Sequence, residues 1–434
     1  MTDNKPVIPL TKDKMKKLKS ILLFVSGIIS CAVQAQELDV NLQLRPRFEY
    51  RNGYKTLLPE GQKGTSQIAQ RSRLNFDYKQ DEFKIKLTLQ NVRTWGDVPT
   101  NTTADKNGIA LFEAWAEYNF NEKWSMRLGR QVLSYDNQRI MGEIDWLQQG
   151  QSHDAVLVTF HPENQQLDLG AAYNSTAENT IQTPYTVASY KAMQYAWYHN
   201  KINNIGASLL ILNTGYEYAN TAAKLLVDYK QTFGTYLTYK TKKIDSDLGL
   251  YGQTGKSTDK KISAWYAGAN FGYFITTAFK VSLGYEFLSG KDMNNGSMVI
   301  KSFSPIFGTN HAFNGYMDYF YVGNHQNSVG LQDAFVKLNY SVNKWQFALI
   351  PHVFSAPNKV ITATNETLES YLGSEVDFTT TFKFKKDITL TGGYSQMFGS
   401  KTLEFLKAGD AGHTNNWAWV MISVNPKIFT FTPK

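Results

Sequence analysis

A single cysteine, Cys31, occurs in the 434 residues of the chain. It lies in an apolar segment near the amino terminus, so the rest of the sequence offers no disulfide framework, no thiol nucleophile and no zinc-thiolate site. Beyond residue 36 there is also no uninterrupted apolar run near the ~18 residues that a membrane-spanning helix needs. No serine lies in a nucleophile-elbow motif, and no histidines and carboxylates have metal-ligand spacing. We therefore expect no enzymatic activity, no metal site and no cofactor.

The amino-terminal segment, residues 1–35, has the pattern of a secretory signal. Its basic start, apolar centre and small-residue cleavage site are Lys16, Lys17 and Lys19, residues 21–29, and Val33-Gln34-Ala35. We expect cleavage before Gln36, with residues 1–14 as an upstream extension. A lipoprotein signal at Cys31 is the less favoured alternative, because bulky residues precede that cysteine.

The charge balance gives no support for nucleic-acid binding. The net charge of the chain is +8, but residues 1–35 contain six lysines and two aspartates, so the remainder carries only +4. No basic helix or aromatic-basic motif of a known nucleic-acid module accompanies this modest excess.

From residue 37 onward the sequence has the alternation of β-strands. In the first predicted strand an apolar set alternates with a polar set: Leu38, Val40, Leu42, Leu44, Phe48 and Tyr50 against Asp39, Asn41, Gln43, Arg45, Arg47 and Glu49. Successive side chains on a strand point to opposite faces, so one face is apolar and the other is charged. The strand also reaches the ~9–11 residues that cross a bilayer at a tilt.

The connections between strands alternate between short and long, which is typical of bacterial outer-membrane barrels with short periplasmic turns and long extracellular loops. Short turns join Tyr78 to Phe83, Phe120 to Trp124, Phe160 to Leu167 and Tyr340 to Trp345, and long loops cover 51–67, 94–109, 134–151, 289–327 and 355–373. Aromatic residues make up 14% of the chain, as girdles at both membrane interfaces require. A large secreted all-β domain is the alternative.

The sequence therefore predicts an all-β fold, a single-chain transmembrane antiparallel β-barrel over residues 36–434 in the bacterial outer membrane. About eighteen strands are predicted, an even number that returns both ends to the periplasm. They cover 37–50, 68–79, 82–92, 110–120, 123–133, 152–161, 166–174, 190–200, 204–213, 229–241, 244–254, 261–272, 278–288, 328–340, 344–355, 374–386, 388–398 and 415–424. The segment 214–229 is ambiguous between a loop and a longer strand. A barrel of this size leaves an aqueous channel unless something fills it.

Arginine is confined to one part of the chain, and all nine arginines lie between residues 45 and 139. Strand alternation points a set of basic side chains into the lumen: Arg45, Arg47, Arg71, Arg73, Lys84, Lys86 and Arg127. Guanidinium groups fit carboxylates with two hydrogen bonds, and rings of Arg or Lys select anions in pores. The alternative is a structural ladder of ion pairs with Glu49, Asp77, Glu113 and Glu117. Arg93 and Arg130 have the opposite parity, which places them beyond the hydrocarbon zone.

Two segments near predicted loops carry a more specific pattern. They are Gly129-Arg130-Gln131, Tyr135-Asp136-Asn137-Gln138-Arg139, Gly142, Asp145-Trp146 and Gln149-Gly150-Gln151-Ser152-His153-Asp154, followed much later by Gly308-Thr309-Asn310-His311-Ala312-Phe313-Asn314-Gly315-Tyr316-Met317-Asp318. Together with the barrel pattern and the arginines, they resemble the alginate-export family of outer-membrane porins. The resemblance covers essentially the whole chain after residue 35.

This resemblance implies passage of an acidic polysaccharide through a basic barrel whose loops act as lids. It also implies a basic, partly acid-balanced constriction formed by Arg71, Arg73, Arg127, Arg139 and Asp145. One departure from the pattern concerns the carboxyl end, where such barrels usually stop on an aromatic residue. This chain continues past Phe429 and Phe431 to Thr432-Pro433-Lys434, which leaves the boundary of the final strand open.

The longest predicted loop, 289–327, is too rich in aromatic residues to be disordered. We expect it to fold inward and narrow the mouth of the barrel, packing on the inner wall or on the loop at 134–151. The lid residues would be Trp146, His311, Phe313, Tyr316 and Asp318. The alternative is a packed surface cap that leaves the pore open.

We therefore expect a monomeric, anion-selective channel that passes an anionic polysaccharide, alginate-like, or other anionic solutes across the lipid of the outer membrane. A general passive porin without polysaccharide specificity is the main alternative. A barrel enzyme or an adhesin is less favoured. His153 and Asp154 invite the idea of a hydrolase, but adjacent strand residues point to opposite faces and cannot form a catalytic pair.

Overall fold

The computed structural model describes residues 36–102, 104–187, 189–320 and 329–432. The predicted signal segment, with Cys31 and the cleavage site, lies outside the described residues. Over the described ranges the chain forms a closed antiparallel β-barrel of eighteen strands, so the predicted fold class is confirmed. No helix in this part of the chain is long and apolar enough to cross a membrane.

Each strand pairs with its neighbours in sequence, and the first strand pairs with the last to close the barrel. The strands are β1 Gln36–Asn52, β2 Thr65–Gln80, β3 Phe83–Thr94, β4 Ala110–Asn119, β5 Trp124–Gln131, β6 His153–Phe160, β7 Gln165–Tyr173, β8 Ala192–Ile202, β9 Ile205–Ala219, β10 Leu225–Lys240, β11 Ile244–Ser257, β12 Lys260–Phe274, β13 Phe279–Leu288, β14 Leu331–Val342, β15 Trp345–Ser355, β16 Tyr371–Lys385, β17 Ile388–Gly399, β18 Asn415–Val424 and β19 Lys427–Phe431.

The last barrel strand is split into β18 and β19, which both pair with β1. Proline interrupts the ladder because it has no N–H to donate, and the carbonyl of Pro426 instead accepts a hydrogen bond of 3.1 Å from the amide of Leu42. Beyond the break, Phe429 lies opposite Val40 and Phe431 lies opposite Leu38. The prediction of a final strand over 415–424 therefore matches β18 and misses β19.

The two faces of the first strand follow the predicted alternation. Phe48 and Tyr50 are exposed on the outer surface, whereas Arg45, Arg47 and Glu49 on the other face are buried. An apolar exterior and a polar interior are the arrangement that a barrel in lipid requires.

The connections on one side of the barrel are turns of two to four residues, and most of those on the other side are long loops. Two loop-side connections are short: β9 and β10 extend the sheet until only 220–224 joins them, and 258–259 joins β11 to β12. The ambiguous segment 214–229 is thus mostly strand. The loop between β17 and β18 contains a short helix, α1, Lys401–Lys407. A turn of 3₁₀ helix, Asn310–Ala312, lies in the loop between β13 and β14.

Two of the long loops enter the barrel and supply much of its buried core. We call residues 132–152, between β5 and β6, the first inner loop, and the described residues between β13 and β14, 289–320 and 329–330, the second inner loop. Their buried apolar side chains include Leu133, Met141, Phe303, Phe307, Met317 and Tyr319. These side chains pack with inward residues of the strands, so the lumen at this level is filled by loop rather than by open solvent.

Candidate functional site

The two inner loops bind each other inside the barrel through their backbones. The amide of Gly142 donates to the carbonyl of Phe307 over 2.8 Å, and the amide of Phe307 donates to Ile140 over 3.2 Å. A third bond of 2.9 Å runs from the amide of Thr309 to the carbonyl of Gln138. The first two bonds form a parallel bridge between Met141 and Phe307, and the third adds a further link between the loops.

The first inner loop is fixed to the arginine-bearing wall through Asp145. Its carboxylate accepts from Arg45 Nη1 at 2.9 Å and lies 2.8 Å from Arg71 Nη2. Gln148 adds a hydrogen bond of 3.1 Å from Arg45 Nε. Arg45 and Arg71 are buried, since their side chains are only 5% and 1% exposed. Two strands thus supply the guanidinium groups, and the loop supplies the counterion.

The pKa of Asp145 reflects this position. Burial raises the pKa, but the nearby guanidinium groups of Arg45 and Arg71 lower it by more, so the net shift is downward. The carboxylate is therefore ionised at neutral pH and at moderately acidic pH.

A neighbouring contact holds Trp146 against the same wall. Arg47 lies over the Trp146 ring at 3.8 Å from its centroid and donates to its backbone carbonyl over 2.6 Å. Glu49 neutralises Arg47, accepting from its Nε at 2.9 Å, and also accepts from the Trp417 indole at 3.1 Å. A cation stacked on an aromatic ring and paired with a carboxylate is a fixed element of structure.

The arginines of this wall have more donors than acceptors. Arg73 donates through Nε to Gln90 over 2.6 Å and stacks on the Phe112 ring at 3.6 Å. Arg73 Nη2 and Arg71 Nη1 are buried and have no hydrogen-bond partner among the described residues. We call Arg45, Arg71 and Arg73 the basic cluster; Asp145 is the carboxylate that contacts it directly. Two guanidinium donors are left for an acceptor that the described part of the chain does not supply.

Nearer the turn side, the inward cations are paired with acids. Lys84 Nζ lies 2.8 Å from Glu117, and Arg127 Nη2 lies 2.6 Å from the other oxygen of the same carboxylate. Lys86 Nζ lies 3.1 Å from Asp77. The ladder of ion pairs is therefore present at this level. Arg93 and Arg130, which have the opposite parity, pair with Asp105 and Asp154 on loop-side ends of strands.

Another part of the barrel wall, from β13 to β16, carries a set of buried carboxylates that we call the acidic wall: Glu286 on β13, Asp333 on β14, and Glu375 and Asp377 on β16. The second inner loop caps it with N–H groups. The amide of Met317 donates to Glu375 over 2.8 Å, and the amide of Tyr316 donates to Asp377 over 3.2 Å. His352 Nδ1 lies 2.9 Å from Asp333. These contacts hold the second inner loop in place.

Arg139, on the first inner loop, reaches across to the acidic wall. Its Nη2 donates to Glu286 over 2.9 Å and to Asn314 over 2.7 Å, and its guanidinium lies 4.5 Å from the centre of the Phe313 ring. The structure thus brings Arg45, Arg71, Arg73 and Asp145 together, but it puts Arg139 elsewhere, and Arg127 lies closer to the turn side.

The predicted lid residues lie where the two inner loops meet. Trp146 and His311 stack with ring centroids 4.4 Å apart, and His311 Nδ1 lies 2.8 Å from Asp318. Tyr316 also stacks on His311, with ring centroids 5.5 Å apart. Burial raises the pKa of Asp318, but His311 and the hydroxyl of Tyr54 lower it by more. The His311–Asp318 pair lies within the second inner loop and holds the His311 ring in the stack with Trp146 of the first.

The acidic wall is the part of the site that the sequence reasoning missed. Its signal was available, since Glu375 and Asp377 occupy alternate positions in the predicted strand 374–386 and must share a face. His153, considered as a catalytic candidate, is buried and bonded to Tyr190 over 2.9 Å. Asp154 instead pairs with Arg130 on the outside, so the two residues lie on opposite faces.

Two of the cavities beside the inner loops lie at different heights in the barrel. One, of about 540 Å³, lies on the turn side and is lined by Lys280, Lys337 and Phe313. The other, of about 610 Å³, lies on the loop side and is lined by Lys230, Ser304 and Phe307. Phe313, Ser304 and Phe307 all belong to the second inner loop, so this loop lines both cavities.

The comparisons with known proteins agree with this architecture. The model of the family described as Alginate export matches residues 36–411. The outer membrane protein OpdK of Pseudomonas aeruginosa is similar in structure, with a TM-score of 0.61 at 12% identity, covering 91% of this chain and 99% of that one. OccK9 (OpdG) of the same organism gives 0.61 at 10%, covering 91% and 98%. OccAB3 of Acinetobacter baumannii gives 0.60 at 12%, covering 91% and 99%. OpdK was also solved with vanillate. A search of curated proteins gives no match.

Proposed function

The chain belongs to the alginate export family and is an outer-membrane channel, and we propose that it passes anionic solutes, with an alginate-like polysaccharide as the leading candidate. The observation that carries this proposal is the imbalance of the basic cluster. Among its three guanidinium groups, those of Arg45 and Arg71 contact one carboxylate, Asp145. Two buried donors, on Arg71 and Arg73, have no partner among the described residues.

The imbalance favours a passing carboxylate for a physical reason. A buried donor without an acceptor costs about 1–3 kcal/mol, and a carboxylate in the lumen would remove that cost. Guanidinium keeps its charge at all relevant pH values and binds carboxylates through two parallel hydrogen bonds. The basic cluster would therefore favour anions over neutral solutes and cations.

The inner loops make the second part of the proposal. Because the buried side chains of both inner loops pack inside the barrel, a polymer would pass only if the loops move. We propose that the inner loops are lids, with Trp146, His311, Phe313, Tyr316 and Asp318 at their junction. Their fixation by hydrogen bonds and ion pairs, rather than by a continuous strand, leaves them able to detach.

The test is the reversal potential of the purified channel in planar bilayers. Changing Arg71, Arg73 and Arg127 together to Ser should shift the reversal potential toward cations. The same three positions changed to Lys keep the charge and should keep the selectivity. Arg93→Ser with Arg130→Ser removes two arginines that are paired outside the lumen, and this control should behave as the wild type. Unchanged selectivity in the triple Ser variant would refute the proposal.

A general passive porin is the second candidate, and one observation favours it. Arg45 and Arg47 are occupied with the first inner loop, and Arg127 with Glu117, so less positive charge faces solvent than the count of arginines indicates. Current block separates the two functions: acidic oligosaccharides should block better than neutral ones of equal length. That difference should shrink at 1 M salt, where the screening length is roughly 3 Å. Equal block at low salt would support the passive porin.

A further inference from the structure

The loop-side cavity has an excess of positive charge, because Lys230 and Lys256 line it together with one carboxylate, Glu217. Lys230 lies on β10 opposite Gly255 of β11 and lines this cavity of about 610 Å³, a volume suited to a small ligand. Its side chain is partly buried, and no carboxylate of the described residues lies within ion-pair distance of it. Other inward lysines are different, since Lys84 and Lys280 each lie 2.8 Å from a carboxylate.

A second feature of the cavity is a buried hydroxyl without a partner. Ser304, on the second inner loop, is only 9% exposed, and its Oγ has no hydrogen-bond partner among the described residues. Its backbone is fixed by Gln253, which donates to the Ser304 carbonyl over 2.7 Å and accepts from the Ser304 amide over 3.0 Å. The hydroxyl is thus held in a fixed position and is available to a ligand.

We propose that this cavity binds a small hydroxylated carboxylate from the cell-surface side. The Lys230 ammonium would take the carboxylate, since a partly buried cation is stabilised by a counterion. The Ser304 hydroxyl and the tyrosines that line the cavity, Tyr190 and Tyr216, would take ligand hydroxyls. The inference deepens the proposed function, because it gives anions a site distinct from the basic cluster and in direct contact with the second inner loop.

The experiment is titration calorimetry of the full chain in detergent micelles at low salt, with gluconate as the probe. Sorbitol has the same six-carbon chain with a hydroxymethyl group in place of the carboxylate, and it is the neutral comparison. We expect saturable binding of gluconate and none of sorbitol. Lys230→Gln should weaken gluconate binding about 10-fold or more, and Ser304→Ala should weaken it several-fold.

The matched control is Lys280→Gln, which removes an equal charge from the turn-side cavity and should leave gluconate affinity unchanged. Absence of gluconate binding to the wild type, wild-type affinity in Lys230→Gln, or equal binding of sorbitol would each overturn the site. Calorimetry measures binding and requires no transport. If gluconate does not bind while the channel is anion-selective in bilayers, the site is rejected and the proposed function is kept. If the triple Ser variant keeps the reversal potential of the wild type while gluconate still binds, the proposed function is rejected and the gluconate site is kept.

Discussion

Gly315 marks the point where the second inner loop turns onto the acidic wall. Its backbone is in the left-handed region, with φ of +84°, and a Cβ at this position would stand 2.6 Å from Glu375 Oε2. Gly315→Ala should therefore push the loop off Glu375, at a cost of about 1–3 kcal/mol in stability. We expect a lower unfolding temperature and a higher single-channel conductance, measured by circular dichroism and bilayer recording.

Gly296 provides the matched control for this change. It lies in the same loop, and no atom is within 4 Å of a Cβ built there. Gly296→Ala should therefore leave both measurements unchanged. If Gly315→Ala also conducts and melts as the wild type does, the contact with Glu375 does not hold the loop.

Asp145 makes the first inner loop sensitive to acid. Because its pKa is lowered in the folded protein, its stabilising effect is complete above the pKa of the unfolded chain, ~3.9, and is lost as the pH falls through the lower folded value. Asp145→Asn should destabilise the protein by about 1–2 kcal/mol at pH 7, a modest figure because the carboxylate is half exposed. The measurement is thermal unfolding of both proteins from pH 7 down to pH 3.

The difference between the wild type and Asp145→Asn should stay constant from pH 7 to about pH 5 and shrink below pH 4. A difference that shrinks between pH 7 and pH 5 would show that another group is responsible. A difference of zero at pH 7 would show that the ion pairs with Arg45 and Arg71 do not anchor the loop.

At the scale of whole elements, the second inner loop determines how wide the passage is. Deleting residues 305–320 should join the two cavities and raise single-channel conductance. The same deletion uncaps Glu286, Asp333, Glu375 and Asp377, so the selectivity should also move toward cations. Both effects are measured in planar bilayers on refolded protein.

The control deletion removes residues 294–298, an outer part of the same loop, and it should change neither conductance nor selectivity. A properly folded 305–320 deletion with wild-type conductance would mean that the loop is no lid. Higher conductance without a change in selectivity would mean that the acidic wall does not face the passage.

The strands were predictable because their information is local. A period of two over ten or more residues defines a strand and assigns each side chain to a face, which is why Arg45, Arg71 and Lys84 were expected inside. The inner loops have no such period, so the wall that a loop residue contacts depends on packing far away in sequence. Arg139 shows this: it has the residue type of the basic cluster but lies against Glu286. The break at Pro426 hid β19 for a related reason, since it interrupts the local pattern.

At the scale of the whole molecule, every strand depends on closure of the barrel. β1 pairs with β2 along sixteen positions and with β18 and β19 on its other edge, so no edge remains open to unfold from. The protein should therefore be heat-modifiable, migrating faster on gels unless boiled, and should require detergent for extraction. Its mature amino terminus should be Gln36, as read by sequencing. Recovery as a soluble periplasmic species, or lipid on Cys31, would contradict these expectations.

The backbone pairing between the inner loops has a kinetic consequence. The first loop is anchored to the basic cluster and the second to the acidic wall, yet three backbone hydrogen bonds join them, and Arg139 of one reaches the anchor of the other. Neither loop can leave without breaking the contacts of both. The barrel should thus behave as a two-state switch, with current steps between one closed and one open level and no long-lived intermediate. A ligand that loosens either anchor should raise the frequency of opening and leave the open-channel current unchanged.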